Sequence, residues 1–380
     1  LDPALAEAAI WLAGIARWSG HAAEAIALLR HAVAKAPADP NAFLALGDAL
    51  RESGSYAEAV RAYLRVIELE PGAKAAHSNL GTILVAGGKV ELAAEHARAA
   101  LRIDPDFGAA SATLADALLR SGRSGEADQV YRDAVSRGVF PGEFISNFLM
   151  SANYVPDLSE ADVGERHRMF ARSCESVART FAGERDATPS RPLRIGYLSA
   201  DLREHSVAYF LEPVLANHDR RRFAIHCYYN FPSEDPVSAR LRALADVWRG
   251  CRGLPDPALD ELIRTDQVDI LVDLSGHSAW NRLPALARKP APILASWLGY
   301  PTTTGLPSID YRISDWEVDP AGADARSEEQ VIRLPSSYYC YRARADAPAV
   351  APSPGMSKGR VTFGSFNNLG KVDAPVIDLW

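Results

Sequence analysis

Leucine recurs at one fixed spacing through the first third of the chain. Leu12, Leu46, Leu80 and Leu114 are each separated by 34 residues. Small and helix-breaking residues keep the same period at three other positions: Gly20, Gly54, Gly88 and Gly122; Ala25, Ala59, Ala93 and Ala127; and Pro37, Pro71 and Pro105. A fixed period of this length indicates a repeated structural unit. The period stops at about residue 140, so the rest of the chain must fold differently.

Each repeat is predicted to contain two helices. Residues 41–53 carry apolar side chains at helical spacing, and Gly54 suits the left-handed residue that ends a helix. The same spacing resumes over residues 56–69, and Pro71 blocks its continuation. Helix pairs with this period are typical of tetratricopeptide repeats, which stack into an α superhelix with a concave groove. We therefore predict such a superhelix over residues 1–140; grooves of this kind usually bind a peptide or another protein.

The second part of the chain has a different pattern. Residues 141–190 are predicted to form a helical connector that ends in a polar linker. From there, short apolar runs alternate with segments of helix length, which indicates βαβ units and a mostly parallel sheet. We expect a doubly wound α/β lobe over residues 191–355. The runs expected to form strands are residues 193–199, 223–231, 268–276, 292–300, 310–315, 330–335 and 361–367.

Polar loops follow four of these predicted strands. They comprise residues 201–205, 275–278, 301–305 and 368–371. Ligands of doubly wound sheets bind at the carboxyl ends of the strands. We therefore expect the functional site in these loops.

The loop residues indicate a transfer reaction. His205 and His277 have the pKa range of a general base near neutral pH. The turn Pro301-Thr302-Thr303-Thr304-Gly305 would let backbone N–H groups approach an anionic oxygen, and Lys371 could neutralise a phosphate. Together they suggest that a diphosphate leaves while a hydroxyl attacks. Taken singly, Lys371 also fits a surface charge, and either histidine fits a structural role.

Composition excludes several classes of function. Of the 380 residues 48% are hydrophobic and 23% charged, and the net charge of −7 gives no electrostatic preference for nucleic acid. The four cysteines show no C-x-x-C spacing, and no apolar run has the length of a membrane helix. No metal-ligand spacing appears, since Asp104-Pro-Asp106 is explained as a turn. We expect a cytoplasmic protein without membrane, metal or nucleic-acid partners, whose first residue, Leu1, suggests a trimmed N-terminus.

Four segments resemble one known family. They are residues 194–201 with His205, residues 291–305, residues 309–315 and residues 364–371. In order and spacing, and with the preceding repeats, they are similar to the O-GlcNAc transferase family, the tetratricopeptide-repeat glycosyltransferases of family 41. The chain looks like a bacterial homologue. The resemblance implies a two-lobed glycosyltransferase of the GT-B type, inverting and metal-independent, with a nucleotide sugar as donor and no cofactor.

The resemblance also implies residue roles. Lys371 would contact the donor diphosphate, while His205 and Asp266 match residues proposed to remove the acceptor proton. Asn368, His277 and residues 301–305 would lie on the donor side. The second, nucleotide-sugar-binding lobe would begin within residues 356–380, so most of it is expected to be truncated from this chain.

Three hypotheses on function follow. The preferred one is transfer of N-acetylglucosamine from UDP-GlcNAc to Ser and Thr hydroxyls of intracellular proteins bound through the repeat groove. The second is protein O-fucosyl transfer from GDP-fucose. The third is a tetratricopeptide scaffold with an inactive transferase half. The sequence leaves open the general base, the native acceptors and the oligomeric state.

Overall fold

The chain folds into two compact units. The computed structural model describes residues 3–19, 21–139, 144–156, 158–181, 188, 191–343, 347–366, 371–372 and 374–379. The repeat unit comprises Leu1–Phe144, Ser151–Pro156 and Ser365–Trp380. The α/β unit comprises Ile145–Met150 and Asp157–Gly364.

Consecutive antiparallel helix pairs build the repeat unit, as the 34-residue period predicts. The helices are α1 (Pro3–Trp18), α2 (Ala22–Lys35), α3 (Pro40–Glu52), α4 (Tyr56–Leu69), α5 (Lys74–Ala86), α6 (Val90–Ile103), α7 (Gly108–Arg120) and α8 (Ser124–Ser136). Gly54, Gly88 and Gly122 have φ angles of +79°, +73° and +73° between the two helices of their pairs, the left-handed conformation that favours glycine.

The periodic positions form the core of this unit. Leu46, Leu80 and Leu114 are 8%, 1% and 5% exposed, whereas Leu12 at the same position of α1 is 54% exposed. Small residues lie where the two helices of a pair approach each other. At Gly47, for example, an added Cβ would come within 2.6 Å of the Tyr63 ring. The repeat pattern is therefore a packing pattern: leucine fills the interior and small residues permit close contact.

A seven-stranded parallel sheet forms the centre of the α/β unit. Its strands are β1 (Leu193–Ser199), β2 (Phe223–Tyr229), β3 (Val247–Gly250), β4 (Ile270–Asp273), β5 (Ile293–Ser296), β6 (Tyr311–Asp315) and β7 (Gln330–Leu334). The strand order is β3-β2-β1-β4-β5-β6-β7, and each pair of neighbours is parallel. The order reverses beside β1, which defines a doubly wound sheet and confirms the predicted fold class.

Apolar cores cover both faces of the sheet. The remaining helices are α9 (Phe144–Ala152), α10 (Glu160–Cys174), α11 (Ser206–Asn217), α12 (Pro236–Leu244), α13 (Asp256–Thr265), α14 (Leu283–Leu286), α15 (Pro354–Lys358) and α16 (Ala374–Leu379). Adjacent strand residues face opposite cores: Leu198 packs with α10, α13 and α14, and Tyr197 packs with α11 and α12. None of the helices in the described ranges is both long and apolar enough to cross a membrane.

The structure differs from the predicted elements at three points. Residues 361–366 form no strand, because no described strand pairs with them, and the side chains of Phe363 and Phe366 are solvent-exposed. The short strand β3 was not predicted. Helix α10, predicted as part of the connector, packs its Phe170 and Cys174 into the core of the α/β unit.

Candidate functional site

Four loops of the α/β unit meet at one edge of the sheet. They follow β1, β2, β4 and β5, and because all the strands are parallel their carboxyl ends share that edge. Three of the predicted segments lie there, namely residues 201–205, 275–278 and 301–305. The structure thus brings together most of the loop residues that the sequence singled out.

His205 stands at the start of α11, where its ring caps the helix. Its Nδ1 accepts a hydrogen bond from the Val207 N–H (3.3 Å) and lies 3.8 Å from Oδ2 of Asp201. Because Nδ1 accepts, the neutral ring carries its proton on Nε2. Before Nε2 can accept a proton, the ring must adopt the other neutral tautomer, in which the proton is on Nδ1, the nitrogen that faces Asp201. The His205 side chain is 38% exposed, so a ligand can reach it.

Asp201 is the partner that sequence reasoning did not select. Its side chain is buried, and its N–H donates to Ser199 Oγ (2.9 Å). Burial raises the pKa of the Asp201 carboxyl, an effect that the nearby His205 and Arg203 partly oppose. A carboxylate placed beside the Nδ1 side of a histidine stabilises the imidazolium form, so Asp201 suits the support of His205. Its position in the same loop as His205 was the available signal.

His277 supports the 301–305 turn from within the protein. Its side chain is fully buried, Nε2 donates to the Thr304 carbonyl (2.8 Å), and Nδ1 accepts from Ser146 Oγ (3.1 Å). Burial, with a smaller contribution from His167, lowers the pKa of His277 to about 3. The ring is therefore neutral at physiological pH. This geometry differs from the expected donor contact, since the imidazole reaches the turn backbone and no solvent.

Glu329 holds the same turn from the other side. Its carboxylate accepts hydrogen bonds from Thr303 Oγ1 (2.7 Å), the Thr304 N–H (2.7 Å), Thr304 Oγ1 and Ser327 Oγ (2.8 Å). Both threonine side chains are buried, so their hydroxyls point to Glu329 and away from a ligand. No motif predicted this residue, because Thr303 and Thr304, which donate three of the four hydrogen bonds, are about 25 positions away in sequence.

Pro301 and Thr302 remain accessible and border a cleft of about 510 Å³. Its walls come from α10, the turn itself and residues 318–328. Gly305 closes the turn with φ +75°, and a Cβ there would come within 2.9 Å of His167. The cleft is therefore bordered on one side by a turn whose backbone is fixed by buried partners.

A buried carboxyl also shapes the loop after β4. Asp273 accepts hydrogen bonds from the N–H groups of Ser275 (3.2 Å) and Gly276 (2.7 Å). Burial raises the pKa of Asp273 to about 6, against the opposing effect of these two hydrogen bonds. An aspartate at the end of a strand, two residues before Ser-Gly, indicates a turn, and this pattern could have predicted the role of Asp273 from the sequence.

Asp266 lies at the other edge of the sheet. Asp266 caps the end of α13 and precedes β4, which places it at the amino-terminal edge of the sheet. It accepts from Arg249 Nη2 (2.8 Å) and the Tyr228 hydroxyl (2.9 Å). Burial alone would raise the pKa of Asp266, but these partners outweigh it and the pKa is lowered. The structure therefore separates Asp266 from His205 and does not support a role as the base.

Two predicted donor contacts lie near the end of the chain. Lys371 is exposed and belongs to the repeat unit, and Asn368 lies outside the described residues. Within the described ranges, no group of three or more His, Cys, Asp or Glu side chains could hold a metal ion.

Two family models match parts of the chain. Residues 173–345 match the family model for glycosyl transferase family 41, and residues 44–107 match a tetratricopeptide repeat model. Residues 173–345 are therefore similar to the family 41 glycosyltransferases and residues 44–107 to tetratricopeptide repeats, in agreement with the resemblance of the loop sequences and with the repeat period.

Individual relatives make the likeness more specific. The chain is 39% identical over 239 residues to the probable UDP-N-acetylglucosamine–peptide N-acetylglucosaminyltransferase SPINDLY of Solanum lycopersicum, covering 62% of this chain and 26% of the relative. It is 26% identical over 275 residues to the probable enzyme of the same activity named SEC in Arabidopsis thaliana, covering 67% and 28%. The chain thus spans about a quarter of the length of these relatives. They are plant proteins, so the expected bacterial source gains no support.

A solved structure shares the fold. An O-GlcNAc transferase mutant from Thermobaculum terrenum superposes with a TM-score of 0.83 at 34% identity, covering 90% of this chain and 65% of that one. The match includes most of the described residues and independently supports the arrangement of repeats followed by a doubly wound lobe.

Proposed function

We propose that this chain is part of an inverting glycosyltransferase that moves N-acetylglucosamine from UDP-GlcNAc to Ser and Thr hydroxyls of proteins. The observation that carries the proposal is the strand-end site of a family 41 region, in which His205 and Asp201 share one sheet edge with the braced 301–305 turn. The names of the plant relatives and of the solved neighbour support the donor and the protein acceptor.

His205 is proposed to receive the acceptor proton or to orient the acceptor hydroxyl. As the ring becomes positively charged, the Asp201 carboxylate 3.8 Å from Nδ1 stabilises it. Lys371 is proposed to neutralise the leaving diphosphate, which is a charge that develops mainly in the transition state. Acceptors are proposed to bind through the repeat groove, in the cytoplasm, and the reaction is proposed to need no metal cofactor.

A donor assay with the full-length protein tests this function. We expect transfer from UDP-GlcNAc to a Ser/Thr acceptor, and Lys371→Ala should lower kcat about 100-fold to 1,000-fold. Lys358→Ala, which removes another exposed lysine, is the matched control and should leave kcat unchanged. Unchanged turnover in Lys371→Ala would refute the role of Lys371. Transfer from GDP-fucose alone would establish the fucosyl alternative, and absence of any transfer or nucleotide binding would establish the scaffold.

A further inference from the structure

Four side chains form a row at the site edge, two neighbouring aromatic rings with an arginine at each end, here called the arginine–aromatic ladder. The guanidinium carbon of Arg203 lies 4.1 Å from the Phe231 ring centroid, and that of Arg252 lies 4.7 Å from the Trp280 ring centroid. The two rings meet edge to face, with centroids 6.2 Å apart. These residues follow β1, β2, β3 and β4, so the ladder crosses the carboxyl ends of four adjacent strands.

Arg203 and Arg252 have N–H groups that are not hydrogen-bonded to a described carboxylate, unlike other arginines of the α/β unit. Arg191, for example, makes two 2.6 Å bonds to Asp269. Arg203 has one carboxylate nearby, Asp201 at 3.7 Å, and within the described residues its buried Nε has no hydrogen-bond partner. The exposed Arg252 contacts the indole ring and forms no ion pair with a described carboxylate.

Two carboxylates in the neighbouring loops, Glu234 and Asp256, are already paired with other arginines. Glu234 accepts from Arg242 (3.2 Å) and from the Trp248 indole N–H (3.0 Å). Asp256 accepts from Arg282 at 2.7 Å. The positive charge of the ladder is therefore not neutralised by these groups, although the chain as a whole carries a net charge of −7.

Trp280 combines a strained backbone with an exposed ring. Its φ is +63°, a conformation that bulky residues rarely adopt, and the Asn230 side chain holds the Trp280 carbonyl with a 2.7 Å hydrogen bond. The side chain is nevertheless 42% exposed. Strain of this kind persists where the surrounding structure maintains it, and it is concentrated at functional positions.

We propose that the arginine–aromatic ladder binds an acidic segment of the acceptor polypeptide, next to the hydroxyl that is modified. Guanidinium groups stacked on rings present fixed N–H donors, which suit carboxylates. Arg203 is two residues from His205, and both approach Asp201. A carboxylate bound at Arg203 therefore lies within a few residues of the reacting hydroxyl, since an extended chain advances about 3.3 Å per residue. This inference rests on the proposed function, because it specifies the acceptor.

Peptide binding tests the ladder without relying on sugar transfer. The probes are two fluorescent Ser-containing peptides, one with flanking Asp and Glu and one with Asn and Gln at the same positions, titrated into the full-length protein by anisotropy. We expect the acidic peptide to bind about tenfold more tightly, and raised salt should reduce this preference. Arg252→Gln should remove most of the preference, and Arg203→Gln combined with it should abolish it.

Arg221→Gln is the matched control for charge. This arginine is 91% exposed beside Asp219, before β2 and thus at the opposite sheet edge, so its loss should leave the preference unchanged. Equal binding of the two peptides, or a preference that survives the double variant, would overturn the proposal; circular dichroism verifies that each variant is folded. A preference that depends on Arg252 without sugar transfer would reject the proposed function alone. Transfer with equal KM for both peptides would reject the ladder alone.

Discussion

Protonation of His277 should destabilise the α/β unit as the pH falls. The imidazole is fully buried between Ser146 and the Thr304 carbonyl, and burial lowers its pKa from 6.5 to about 3. The unfolded chain therefore binds a proton more readily than the folded chain. The contribution of the neutral ring to stability is complete above the unfolded pKa of about 6.5 and is lost as the pH falls through the interval down to about 3.

The size of the effect follows from the shift in pKa. Each unit of pKa difference corresponds to about 1.4 kcal/mol, so His277 alone accounts for about 2 kcal/mol between pH 6.5 and 5. The limit reached near pH 3 is about 5 kcal/mol. Burial also lowers the pKa of His167, whose ring centroid lies 5.7 Å away, so the neighbouring ring acts in the same direction.

Urea unfolding at pH 7.5 and pH 5 measures the effect. His277→Gln should reduce the free energy of unfolding at pH 7.5, because a neutral ring with two hydrogen bonds is lost. Between pH 7.5 and pH 5, the free energy of unfolding of this variant should fall by about 2 kcal/mol less than that of the unmodified chain. His31→Gln, which removes an exposed histidine from α2, should keep the original pH dependence. If His277→Gln keeps it too, the reasoning on His277 is refuted.

Two substitution pairs test packing by urea unfolding. Gly299→Ala should lower the free energy of unfolding by about 3 kcal/mol or more, because its Cβ would come within 2.1 Å of the Leu274 carbonyl oxygen. Gly250→Ala, where a Cβ would meet no atom within 4 Å, should lower it by under about 1 kcal/mol. Equal losses would contradict the predicted clash. Leu80→Ala should lower the free energy of unfolding by about 2–5 kcal/mol, because Leu80 is 1% exposed. Leu12→Ala, at the equivalent position that is 54% exposed, should lower it by under about 1 kcal/mol. Similar losses would show that burial does not determine how much each leucine stabilises its repeat.

Local patterns were sufficient to predict much of the fold. The 34-residue period placed the repeat helices, because each leucine and small residue packs against a neighbour at a fixed distance along the chain. Strand β1 was predicted at its observed bounds, Leu193–Ser199, from its apolar run between polar segments. The run at 361–367 was misleading, because β-forming residues make a strand only where another strand pairs with them.

The site residues could be predicted from the sequence only where they lie in a loop directly after a predicted strand. His205 and the 301–305 turn follow strands and were found from sequence. Glu329 is separated from the turn by one further strand, β6, and nothing in its local sequence shows that four hydrogen bonds converge on its carboxylate. Asp266 was placed by resemblance, and the fold puts it at the far edge of the sheet because α13 runs back along the strands. Tertiary contacts, which no local pattern encodes, decided the case of Glu329, whereas the order of α13 and β4 along the chain decided that of Asp266.

The carboxylate of Glu329 has a consequence for the entropy of ligand binding. Because Thr303 and Thr304 are tied to it, the backbone of the turn is ordered when the protein folds and before any ligand arrives. Fixing the backbone of one residue costs about 1–2 kcal/mol. A molecule that binds at Pro301 and Thr302 does not have to order this backbone, so its contacts there add to affinity without being offset by that loss of entropy. A residue that no ligand touches thereby sets how tightly one can bind.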